Sequence, residues 1–89
     1  MTTFKINGKV VSREEWGFSK EDGIYQVYYN GQLGCELNHQ NGERHGLQRD
    51  WYGNGQVAYE EIWVNGIERT EEFKDNKLAQ IVVFGKVIL

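Results

Sequence analysis

The sequence predicts a mainly all-β fold, an antiparallel meander of β-hairpins with one short N-terminal helix. Eleven glycines and no proline suit a chain with many tight turns. Asn-Gly pairs recur between runs in which polar and apolar residues alternate, which is typical of hairpins. A third observation is a repeated pattern between Gly23 and Thr70. In it, Gly31 and Gly55 are 24 residues apart, as are Gly42 and Gly66. A fixed period of this kind indicates one supersecondary unit used twice.

Composition predicts one small domain, residues 1–89. Its 39% hydrophobic content is low, and 13% aromatics supply much of the contact area. The net charge of −3 argues against a nucleic-acid partner and disfavours a membrane partner. Cys35 is the single cysteine, which excludes an internal disulfide and favours a reducing compartment. With no long apolar run and no signal-peptide pattern, we expect a soluble, cytoplasmic protein.

Residues 1–22 are predicted to form an N-terminal hairpin and a short helix that caps the sheet. Phe4 to Val11 places β-forming residues on both sides of Asn7-Gly8. Ser12 and Glu15 have the spacing of a capping box, which starts a helix, and Trp16 would pin that helix to the sheet. A β-bend is the alternative for this segment.

Residues 23–70 contain the two repeat copies, each predicted as a hairpin. Alternation of period two runs through both copies, as expected for strands with one buried face. The glycines that follow asparagine in the turns are interpreted as structural, because a tight hairpin turn requires positive φ angles. These turn glycines are Gly31, Gly42, Gly55 and Gly66.

Residues 71–89 are predicted to form a degenerate third repeat followed by an apolar C-terminal strand. Asn76 stands where the earlier copies have a turn glycine, and asparagine tolerates a left-handed backbone. Leu78 to Leu89 is apolar on both faces of such a strand, which leaves no face suited to water. Either the Trp16 helix covers it, or it pairs with a second copy to form a homodimer.

Aromatic side chains are the strongest indication of a binding surface. Tyr28-Tyr29 and Trp51-Tyr52 occupy the same position in the two repeats. Alternation predicts that Tyr29 and Trp51 point inward, which leaves Tyr28 and Tyr52 outward. Rigid amphipathic rings of this kind anchor protein interfaces. The predicted binding aromatics are Tyr28, Tyr52, Tyr59 and Trp63.

Acidic residues cluster in the second half of the chain. Between Glu60 and Asp75 there are six acids against Arg69 and Lys74, a net charge of −4. This run is either a solvated sheet face or a patch that docks on a basic protein surface. The candidate carboxylates are Glu60, Glu61, Glu71 and Glu72.

Catalytic and metal chemistry have little support in the sequence. Cys35, His39 and His45 are the three residues that could suggest it, and a zinc site needs four ligands in close pairs. Cys35 is interpreted as a small core residue and the histidines as polar groups beside turns. We therefore expect no enzyme activity, no metal and no cofactor.

Two stretches resemble the bacterial variant of the MORN repeat, common in the YwqK-type antitoxin-like family. They are Tyr28-Tyr29-Asn30-Gly31-Gln32-Leu33 and the segment from Asn41-Gly42-Glu43-Arg44-His45-Gly46 to Trp51-Tyr52-Gly53-Asn54-Gly55-Gln56-Val57. The resemblance implies an elongated sheet of hairpins that serves as a binding surface, with no catalytic residues. For the bacterial variant it implies an antitoxin-like role. The small size, the acidic surface and the lack of a catalytic constellation are in addition typical of immunity proteins and of phage-encoded inhibitors of host defence. The partner of such an inhibitor would be a toxin, nuclease or defence effector with a basic site, which the acidic run would complement. The alternative that the family implies is a membrane- or phosphoinositide-associated scaffold.

Overall fold

Eight strands form one antiparallel sheet and three short helices pack on it, in the computed structural model of residues 1–89. The elements, in chain order, are β1 (Thr2–Ile6), β2 (Lys9–Val11), α1 (Arg13–Phe18), β3 (Gly23–Tyr29), β4 (Gln32–Gln40), β5 (Glu43–Arg44), β6 (Gly46–Trp51), β7 (Val57–Val64), β8 (Ile67–Glu68), α2 (Thr70–Phe73) and α3 (Lys77–Phe84). The mainly β, antiparallel fold class predicted from the sequence is confirmed. None of the helices is long and apolar enough to cross a membrane.

Asn-Gly turns set the hairpins. In four of them the asparagine has φ between 48° and 54° and the glycine has φ between 79° and 83°. Two successive positive φ angles define a type I′ turn, whose twist matches that of the flanking strands. The four turns are Asn7-Gly8, Asn30-Gly31, Asn41-Gly42 and Asn65-Gly66. Gly55 has φ 88° but ends a longer loop, in which its N–H donates to the Tyr52 carbonyl at 3.0 Å.

The sheet consists of two halves joined by a short seam. Its strand order is β2-β1-β3-β4-β6-β7-β8, with β5 paired to β4. Seven residue pairs join β3 to β4 and six join β6 to β7. Only two pairs, Cys35–Asp50 and Glu36–Arg49, join β4 to β6. We call these two pairs the seam. The outermost strands, β2 and β8, have three and two residues.

The first half buries its core under α1. Ile6, Tyr25 and Leu37 stand opposite one another on β1, β3 and β4, so their side chains share one face of the sheet. All three are buried, and Val11 and Trp16 pack against them. We call this side of the sheet the α1 face. Ser12 Oγ accepts a hydrogen bond from the Glu15 N–H at 3.0 Å, so the N-cap predicted from the sequence does start α1.

The second half buries its core on the opposite face. Gln48 and Glu61 are paired, and so are their neighbours Leu47 and Ile62. Because side chains alternate, Ile62 points away from the α1 face and so does Val64. Both pack against Phe73 of α2 and against the segment that follows it. We call this side the α3 face. The partly buried residues on this core are Ala79, Phe84, Ile88 and Leu89.

The third hairpin and the apolar strand expected over residues 71–89 are not formed, because this segment is helical. Asn76 has φ −120° and takes no left-handed turn. Its Oδ1 instead accepts a hydrogen bond from the Ala79 N–H at 3.0 Å, which caps the start of α3. Gly85, with φ 77°, ends the helix, and its N–H donates to the Ile81 carbonyl at 2.8 Å. The expected strand edge for a homodimer is therefore absent.

A buried glutamine ties the C-terminal tail, residues 85–89, to α3. Gln80 has no solvent exposure, and its Oε1 accepts hydrogen bonds from the N–H groups of Ile88 and Leu89 at 2.8 and 2.9 Å. Its Nε2 donates to the Phe73 carbonyl at 2.7 Å. One side chain thus satisfies backbone groups on both sides of α3. The outer side of α3 stays exposed and apolar at Leu78, Ile81 and Val82.

We predict that Gly23→Ala destabilises the protein by about 2 kcal/mol. Gly23 has φ 125°, and an added Cβ would lie 1.9 Å from Oδ1 of Asn7. That oxygen accepts the Ile24 N–H at 2.9 Å, so the clash would also break a hydrogen bond. Urea unfolding followed by circular dichroism measures the change.

The matched control is Gly17→Ala within α1, where an added Cβ meets nothing within 4 Å. This control should be neutral or stabilising by up to about 1 kcal/mol, because alanine favours helix. Equal effects would contradict the packing role of Gly23.

We predict that Gln80→Leu destabilises the fold by about 2 kcal/mol, because it leaves the Ile88 and Leu89 N–H groups without a partner. Amide exchange at these two residues should accelerate together. Gln32→Leu is the control, since Gln32 is exposed and makes no side-chain hydrogen bond, and its effect should stay within about 0.5 kcal/mol. Unchanged exchange of the tail amides in the Gln80 variant would show that the tail is held by its apolar contacts alone.

Candidate functional site

The part of the α1 face that lies over β6 and β7 has no helix on it. Trp16 of α1 packs on the core at β1, β3 and β4, whereas α2 and α3 lie on the other face. On this face the strands β4, β6 and β7 are covered by no helix, and their side chains range from buried Gln48 to exposed Tyr59. We call this surface the open patch, and it comprises Cys35, Gln48, Asp50, Tyr59, Glu61 and Trp63.

Strand register aligns the open patch in rows. Cys35, Asp50 and Tyr59 stand opposite one another on β4, β6 and β7. Gln48 pairs with Glu61 in the next row. Side chains directly opposite on neighbouring strands have Cβ atoms about 5 Å apart, so each row is a line of contacts.

Asp50 is the electrostatic centre of the first row. Burial, followed by the charge of Asp50, raises the pKa of the Cys35 thiol to about 12. The Asp50 carboxylate also holds the proton on the Tyr59 hydroxyl and so raises the pKa of Tyr59. Both pKa shifts favour the protonated thiol and the protonated phenol, and Asp50 contributes to both. The thiol is a poor nucleophile in this state.

Trp63 is held in place from two directions. Its Nε1 donates a hydrogen bond to Glu61 Oε1 at 3.2 Å. The Arg44 guanidinium lies over its ring, 4.7 Å from the centroid. Tyr59, by contrast, is 49% exposed. The patch thus has the Trp63 indole, held by two contacts, on one side of Glu61 and the accessible Tyr59 phenol on the other.

Buried polar atoms without partners lie on the same face. Gln48 is 7% exposed, and its Oε1 has no hydrogen-bond partner. Its Nε2 reaches Asp50 Oδ1 at 3.5 Å, the long limit of a hydrogen bond. Nδ1 of His39 and Nε1 of Trp16 are also unpartnered. These three buried atoms lack hydrogen-bond partners, which is unusual for polar groups inside a protein.

Three of the eight predicted binding residues, Tyr59, Glu61 and Trp63, come together in the open patch. Glu60 points to the α3 face, where its Oε2 accepts from Arg49 Nε at 2.6 Å. Tyr52 is exposed in the turn after β6.

The other three predicted residues lie outside the patch as well. Glu71 and Glu72 lie on α2. Glu71 forms an exposed ion pair with Lys74, and Glu72 forms one with Arg69. Tyr28 is half-buried on the α3 side of the first half, with Lys5 Nζ 5.0 Å from its ring centroid. The acidic run from Glu60 to Asp75 is therefore divided among β7, β8, α2 and the turn that follows α2.

The expected burial of the first aromatic pair is reversed. Tyr29 is 54% exposed, whereas Tyr28 is half-buried. The register skips Gly34, because Val27 pairs with Cys35 and Tyr28 with Leu33. This bulge places the Tyr29 ring over Gly34, where an added Cβ would lie 2.4 Å from the ring. Tyr29 therefore points to the α1 face, as predicted, but it lies beyond the packed core of that face.

Sequence reasoning missed Gln48, Asp50 and Arg44 as parts of the site. The alternation of β6 places Gln48 and Asp50 on one face, which was a usable signal. Nothing in the sequence indicated that this face lacks a helix. The His45 ring lies 5.2 Å from that of Phe84. The structure has no group of three or more His, Cys, Asp and Glu side chains that could hold a metal ion.

We predict that Cys35 reacts with iodoacetamide at pH 8 roughly a thousandfold more slowly in the folded protein than in urea, because its raised pKa leaves little thiolate. Asp50→Asn should restore part of the rate, since the charge of Asp50 is the second cause of the shift after burial. Mass spectrometry of the alkylated fraction measures both rates. Asp22→Asn, an exposed carboxylate outside the open patch, is the control and should leave the rate unchanged. Fast alkylation of the folded wild type would contradict the assignment of a protonated thiol.

Comparisons with known proteins supply no further constraint on the open patch. The chain matches no protein-family model, no curated protein and no solved structure at the significance required. The geometry and chemistry of the sheet surface are therefore the basis for assigning a function.

Proposed function

We propose that the chain is a non-enzymatic protein-binding module that acts as a small inhibitor. It is either an antitoxin-like or immunity-like protein or a phage-encoded inhibitor of a host defence protein. The observation that carries the proposal is the open patch, where Tyr59, Glu61 and Trp63 alternate along β7 on a face without a helix. Asp50 extends the same surface onto β6. Clustered aromatic rings with charges between them are typical of protein interfaces.

The carboxylates of the open patch are available to a partner. The ion pairs in the structure join Arg49 to Glu60, and two further pairs lie on α2. Neither Asp50 nor Glu61 takes part in an ion pair. A partner with arginine or lysine side chains would complete charge-assisted hydrogen bonds to both. This favours a toxin, nuclease or defence effector with a basic site as the protein partner.

The rigidity of Trp63 supports recognition of a protein surface. The indole is fixed by Glu61 and Arg44, so little side-chain entropy is lost when a partner covers it. The resemblance to MORN-type hairpin repeats is consistent with this role, since it implies a sheet used as a binding surface. A module of this kind would inhibit by covering its partner's site.

Site-specific photo-crosslinking tests the proposal. A photoreactive phenylalanine at position 59 should capture one discrete protein in cells, and the same residue at position 9, on the exposed edge strand β2, should not. The captured protein should lose its activity when purified chain is added, with saturation at one molecule per site. A captured protein whose activity is unaffected would overturn the inhibitor assignment. No capture from position 59 would overturn the open patch as the binding surface.

We predict that Glu61→Lys weakens the captured complex by about tenfold or more, because it reverses a charge that faces a basic site. The control, Glu14→Lys, makes the same charge change at an exposed residue of α1 and should leave affinity within about twofold. Tyr59→Ala should weaken binding and Tyr52→Ala should not, although both tyrosines are exposed. Isothermal titration calorimetry measures all four, and equal effects within either pair would contradict the open patch as the interface.

A further inference from the structure

A cleft of about 610 Å³ opens on the α3 face, the side of the sheet opposite the open patch. It lies between the ends of β4 and β6 on one side and the end of α3 with the C-terminal tail on the other. Its size falls within the range of small-molecule binding sites.

The walls of the cleft are partly apolar and accessible. Leu47 and Phe84 line it together with Val83, Val87 and Ile24. The last three are 38%, 48% and 44% exposed, so apolar surface inside the cleft is in contact with water. Covering such surface stabilises a complex by about 25 cal/mol per Å². The cleft can therefore hold an apolar group.

Hydrogen-bond donors and cations line the same cleft. Arg49 uses Nε and Nη2 for Glu60, which leaves Nη1 without a protein partner. Lys86 forms no ion pair. His45 Nδ1 accepts a hydrogen bond from the Asn65 N–H at 3.2 Å, so the neutral ring carries its proton on Nε2 as a further donor.

Lys86 is the cation of the cleft that has no ionic partner. Arg49 and Lys86 line the cleft together with one carboxylate, Glu36, and Arg49 is already ion-paired with Glu60. Glu36 already accepts a hydrogen bond from Gln26 Nε2 at 3.0 Å. An anionic group is thus the better match to the unused polar capacity of this site.

We propose that the cleft binds a small amphipathic carboxylate, whose apolar body lies against Phe84, Val83 and Val87 and whose carboxylate meets Lys86 and the free N–H of Arg49. The site draws residues from both halves of the sheet and from the tail. Its ligand would therefore stabilise the packing of the tail on the sheet. This function is independent of the open patch and of any protein partner there.

Sodium octanoate, kept below its micelle concentration, is the probe, and octanol and octylammonium are the comparison compounds. Octanoate should bind the wild-type chain at one site in calorimetry and shift the backbone amide signals of Leu47 and of residues 83–88. Octanol and octylammonium should bind at least about tenfold more weakly, because they lack the carboxylate. Undetectable octanoate binding, or equal binding of the three compounds, would overturn the proposal.

Charge reversal at one lysine locates the carboxylate. Lys86→Glu should weaken octanoate binding by about tenfold or more. Lys9→Glu makes the same charge change at an exposed residue of β2 and should leave binding within about twofold. Equal loss in both variants would indicate a general charge effect and would overturn the site. Both lysines are exposed, and circular dichroism should show that both variants keep the wild-type fold.

Discussion

The seam between β4 and β6 is the constraint on which the rest of the structure depends. Two residue pairs hold together two hairpins that each have a core of their own. Around the seam, Asn38 Nδ2 donates to the Leu47 carbonyl at 3.2 Å, and the His45 N–H donates to the Asn38 carbonyl at 3.0 Å. On the α3 face the row from Gln26 through Glu36 and Arg49 to Glu60 crosses four strands. The ion pair in this row joins Arg49 of β6 to Glu60 of β7 and therefore does not cross the seam. Backbone pairing and the two hydrogen bonds named above make the connection between the halves.

The positions of the helices follow from this division. Each half of the sheet has one apolar face, and the two apolar faces point in opposite directions. α1 covers the first half from one side, and α2 and α3 cover the second half from the other. On each face of the sheet, therefore, one half is covered by a helix that packs on a core and the other half is not. The open patch occupies the uncovered half on the α1 face, and the cleft borders the uncovered half on the α3 face. Two independent surfaces arise from one short chain in this way.

The sequence predicts features that depend on local geometry. Asn-Gly dipeptides readily adopt positive φ angles and so indicate the hairpin turns, and the spacing of Ser12 and Glu15 indicates the start of α1. Asn76 shows why the C-terminal segment was predicted wrongly. Asparagine favours both a left-handed turn and a helix N-cap, and the choice depends on whether the following residues pack as a helix. Here Phe84 and Ala79 reach the Ile62 core from a helix, a tertiary contact that no local pattern reveals. The reversed exposure of Tyr28 and Tyr29 has a similar origin, since the extra residue Gly34 changes the register across the strands.

The short outer strands restrict how any partner can approach. β2 offers three residues and β8 offers two, so neither edge has a row of free N–H and C=O groups long enough to pair with another strand. Strand addition is therefore disfavoured. In that mode of binding, a peptide extends a sheet through backbone hydrogen bonds and is selected only weakly by its side chains. A partner of the proposed kind would therefore be recognised through side chains on the faces, where a single substitution changes shape or charge. Such a surface can change its specificity one residue at a time while the backbone of the sheet stays the same.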